Sequence, residues 1–168
     1  AKTLTVTDVP SSGVSTVSDL IGLLQRDFLR ERPAAGGGRA AVVTALVPAV
    51  LAGALPTDPE QRQSAIARTV TGVDKAIDGL SLAAQEEVAQ LFDLLAFPPT
   101  RIIVAGVHPP WPQASVEEIT GFLESWRQSR FDLLRTGYAG LHDLILGSWY
   151  AQDGAWSAIG YPGPPRVK

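Results

Sequence analysis

Proton-moving groups are scarce in this sequence, and none of them falls into a catalytic spacing. Its two histidines are His108 and His142. Neither belongs to an H-E-x-x-H run, the spacing that sets two imidazoles and a general base on one helical face of a zinc hydrolase. Asp143 follows His142 directly, but neighbours on a helix point about 100° apart, so the carboxylate is badly placed to orient the ring. A histidine packed beside Tyr138 and Ile145 is the plainer expectation. Glu86-Glu87 and Glu117-Glu118 could be acid–base pairs. Both are expected in first helical turns, where negative charge offsets the helix dipole.

Other templates fail on residue type. There is no G-x-S-x-G turn to expose a nucleophile. Gly36-Gly37-Gly38-Arg39 lacks the Lys-Ser/Thr and the preceding strand of a phosphate loop, and reads as a linker. With no cysteine, thiolate nucleophiles, zinc knuckles, iron–sulfur ligation and c-type haem attachment are excluded. The expectation is therefore no catalytic residue, no metal ligand and no cofactor of the chain's own.

What remains is recognition. Charged residues make up 18% of the chain and hydrophobic ones 45%. Ordinary soluble domains carry roughly 25% charge, so this one has unusual apolar surface to hide. A net charge of −3 and scattered basic residues exclude nucleic acid, whose phosphates need clustered Lys and Arg. Proline-stiffened segments bearing Trp and Tyr lose little entropy on binding, and such aromatics favour interface centres. The candidate partner-interface residues are Leu4 and Val6 of an extended arm, Trp111, Arg130, Trp149, Tyr150, Trp156, Tyr161, Pro162 and Pro164. Arg130 lies on an apolar stripe between Trp126 and Leu134, where a charge is costly unless paired. It is read either as half of a buried ion pair, or snorkelling to solvent, or as an interface arginine.

The elements that must position these residues are all helical, in an irregular bundle with an extended N-terminal arm and a tail rich in proline and aromatics. Residues 1–14 form the arm, with Thr3 to Thr7 alternating polar and apolar, and residues 15–168 form one helical domain. Leu20, Ile21, Leu24 and Phe28 mark a helix ended by Pro33. A second covers Arg39 to Ala54, kinked at Pro48. The apolar run from Ala40 to Leu55 falls short of the about 20 residues needed to cross a bilayer, so no transmembrane segment is expected. Asp58-Pro59 opens a third helix with the stripe Ile66, Val70, Val73, Ile77 and Leu80. Ser81 caps a fourth, with Ala84, Val88, Leu91, Phe92 and Leu95 on its face, and Pro98-Pro99 ends it. His108-Pro109-Pro110-Trp111-Pro112 reads as a stiff surface loop. Ser115-Val116-Glu117-Glu118 is a capping box opening one long helix, about Val116 to Leu146.

The C-terminal half resembles a known family. Phe122-Leu123-Glu124-Ser125-Trp126-Arg127, then Leu141-His142-Asp143-Leu144 and Trp149-Tyr150, then Trp156 with Gly160-Tyr161-Pro162-Gly163-Pro164, look like the gluconate 2-dehydrogenase subunit 3 family. The likeness is best over residues 80–165. It implies a helical, cofactor-free small subunit, exported with a twin-arginine signal. Its partner would be a large flavoprotein dehydrogenase of the glucose–methanol–choline type carrying FAD, with a separate cytochrome subunit taking the electrons. The small subunit would help the large one fold with its flavin and cross the membrane, placing both in the bacterial periplasm, with membrane association only through the complex. The absence of methionine, even at position 1, fits removal of a signal segment before Ala1. The resemblance brings no catalytic residues. Two other classes stay open: a stand-alone helical module holding a small apolar ligand, and an enzyme using His142 or His108 with a nearby carboxylate.

Overall fold

The computed structural model describes residues 37–152, and among these the fold is all-α, with no strand. The arm, the helix expected before Pro33, and the tail residues lie outside the described residues. So do Leu4, Val6, Trp156, Tyr161, Pro162 and Pro164 of the candidate interface.

Five helices form the bundle: α1 (Gly37–Val50), α2 (Pro59–Asp78), α3 (Leu82–Ala96), α4 (Val116–Arg127) and α5 (Asp132–Tyr150). Helix α1 is the hub, packing against all four others. Its residues Val42, Val43, Leu46 and Val47 are essentially inaccessible, as an apolar run of that length requires. It starts two residues earlier than expected, within the glycine run. Gly38 is needed there because a Cβ would overlap the Ala96 methyl of α3. Pro48 lies inside α1 and the helix ends soon after it, at Val50. The chain then turns through Gly53, whose φ of 81° suits a residue without Cβ.

The helix starts follow the local signals. Asp58 accepts the Gln61 N–H at 2.9 Å with Pro59 in the first turn, and Ser81 accepts from Ala84 at 3.3 Å. Ser115 and Glu118 form the reciprocal capping box, at 3.2 and 2.9 Å. Glu117 and Glu118 do lie in a first turn. Glu86 and Glu87 do not, because α3 begins at Leu82 and places them a turn later. Leu80 is also off the expected stripe: α2 stops at Asp78 and Leu80 is left 37% exposed.

The single long helix from Val116 is in fact two. Arg127-Gln128-Ser129-Arg130 offers nothing apolar to hold a helix on the core, and Ser129 bonds backbone there while Asp132 pairs with the Arg135 side chain. The Ser129 hydroxyl accepts the Phe131 N–H at 3.1 Å, and Arg135 donates to the Ser129 carbonyl at 2.6 Å while pairing with Asp132. Such local side-chain bonds compete with helix continuation. The apolar spacing survives the break: Ile119, Phe122, Leu123 and Trp126 on α4, and Leu134, Leu141 and Ile145 on α5, all join the core.

Candidate functional site

Between α3 and α4 the chain is neither a long helix nor a free loop. Pro98–Thr100 makes one turn, Arg101–Ala105 a π-helical turn, and Trp111–Gln113 a 3₁₀ turn. Five prolines fall between Phe97 and Gln113, and each lacks the N–H that would satisfy a carbonyl. Side chains supply the missing donors. The Thr100 hydroxyl donates to the Leu94 and Phe97 carbonyls. Arg101 Nε donates to Val107 O and Nη2 to His108 O, both at 3.1 Å. Trp111 Nε1 reaches Leu95 O at 2.8 Å, and Trp126 Nε1 reaches Val104 O at 3.0 Å. Gly106 closes the turn at φ 69°, a conformation open to glycine.

These staples overturn the surface reading of Trp111. It is 3% exposed and sits against the hub helix, its ring edge-on to Phe122 at 5.9 Å. Phe122 in turn meets Trp126 edge-on at 4.8 Å. The stiff loop is real, but its tryptophan anchors the loop to this chain's own core. Three of the loop's outward residues are Pro98, Pro99 and Pro110. They leave Ile102, 39% exposed, and His108 on the surface.

Trp149 is likewise a core residue of this chain, 5% exposed, whereas Tyr150 beside it is 47% exposed. The Trp149 indole N–H and the Ser148 hydroxyl are both buried without a hydrogen-bond partner among the described residues. Nearby, Gln152 donates to Thr69 Oγ1 at 3.2 Å and to Ser148 O at 3.0 Å, tying the end of α5 to α2. Arg130 is not on a buried stripe. It falls in the break between α4 and α5, is exposed, and rests its guanidinium 4.9 Å from the centre of the Phe131 ring. Of its three readings the buried ion pair falls, because leaving the helix there lets the charge stay in water.

His142 stacks on Tyr138 with ring centres 5.4 Å apart, as a packed histidine should. Its Nδ1 lies 3.6 Å from Asp143 on the helix surface, too long for an orienting hydrogen bond. No group of three or more potential metal ligands gathers among the described residues.

The sequence reading passed over Arg101. It is 7% exposed, and no carboxylate among the described residues forms an ion pair with it. The signal was present: one long donor amid Ile-Ile-Val, in a segment whose prolines strip it of backbone N–H groups.

No family model matches this chain, and no curated protein or solved structure matches it either.

Proposed function

We propose that this chain is a non-catalytic small subunit that binds, stabilises and escorts for export a larger flavoprotein dehydrogenase of the glucose–methanol–choline type. The FAD and the chemistry belong to that partner, and the pair resides in the periplasm.

One observation carries the reading. Of the described residues through which this sequence resembles the small-subunit family, Phe122, Leu123, Trp126, Leu141 and Trp149 are all in the core, while Ser125, Arg127, Asp143 and Tyr150 are exposed. A motif that specifies a scaffold, rather than a reacting group, suits a protein whose product is an assembled partner. The low charge content supports the same reading, because obligate interfaces are more apolar and larger than the standard size of about 1,600 Å².

The test is co-purification of the full chain from its native source, with mass spectrometry and a visible absorption spectrum. A stoichiometric flavoprotein whose soluble yield collapses when this chain is omitted is the expected result. A colourless, monodisperse chain that binds no flavoprotein would refute it and favour a self-sufficient binding domain.

A further inference from the structure

We draw no further inference here: the strongest candidate, the outward face of α5 on which Gly140 and Gly147 each leave open space where a Cβ would stand, is a stripe of small residues, and nothing in the structure shows what covers it.

Discussion

Three glycines on α5 provide a direct check on the packing described here, because they share a helix and differ only in what surrounds them. A Cβ on Gly137 would lie 2.8 Å from Cζ3 and 3.2 Å from Cε3 of Trp126. That ring is poorly able to retreat: it is 1% exposed, its Nε1 is bonded to Val104 O at 3.0 Å, and Phe122 stands edge-on to it. A Cβ on Gly140 or Gly147 would meet nothing within 4 Å. Replacing a mid-helix glycine by alanine gains about 1 kcal/mol of helix propensity. At Gly140 and Gly147 that gain should appear in full. At Gly137 it is opposed by an overpacking cost of about 2 kcal/mol, leaving a net loss near 1 kcal/mol. For a chain of this length each kcal/mol moves Tm by about 3 °C. Thermal unfolding of the purified full chain should therefore separate Gly137→Ala from Gly140→Ala by about 6 °C, with opposite signs against wild type. Gly140→Ala and Gly147→Ala should add, being two turns apart. If Gly137→Ala raised Tm as much as Gly140→Ala, the close contact of α5 on Trp126 would be wrong.

The remaining predictions use hydrogen bonds and charge. Trp111→Phe leaves the buried Leu95 carbonyl without its donor, whereas Trp149→Phe removes a donor that had no acceptor among the described residues. In denaturant titrations Trp111→Phe should cost about 1–2 kcal/mol more than Trp149→Phe, and equal costs would reject the assignment. Ser115→Ala should cost about 1 kcal/mol by dissolving the capping box, with no loss on that scale counting against it. The Glu124 carboxyl is held below its usual range chiefly by the hydrogen bond from Arg127, aided by Coulombic attraction to Arg127 and by Gln128, with desolvation opposing. A depressed folded pKa stabilises above the unfolded value, and the benefit disappears as pH falls through the folded one. The pair is exposed and screened, so the check is the titration itself: carboxyl NMR should show the Glu124 midpoint rising in Arg127→Gln, and an unmoved midpoint would reject the pairing.

Where the sequence was read well, the information was local. Caps at Asp58, Ser81 and Ser115 act within one turn of themselves, and a stripe such as Ile66, Val73 and Ile77 repeats with the helical period. Trp111 was misread because proline density and an aromatic look alike whether the aromatic faces out or in. What decides it is a carbonyl sixteen residues earlier, at Leu95, which no local pattern reveals. The break after Arg127 was missed for the opposite reason. The apolar spacing runs through it, and the helix stops where the Ser129 hydroxyl and carbonyl take local partners. Arg130 was misplaced in consequence, since an unbroken helix would have carried it inward.

The error at Trp111 bears on how the segment is held. Trp111 was weighed as a group that could act on a partner, and in the folded chain it donates to a main-chain carbonyl, as do Thr100, Arg101 and, from α4, Trp126. Donors spent in this way fix the shape of a segment whose exposed residues include Pro98, Pro99, Ile102 and Pro110. A proline-rich connection keeps a fixed shape without backbone N–H groups only where side chains supply the donors that its carbonyls lack, and this one draws them both from its own turn, at Arg101, and from the helix that follows it, at Trp126.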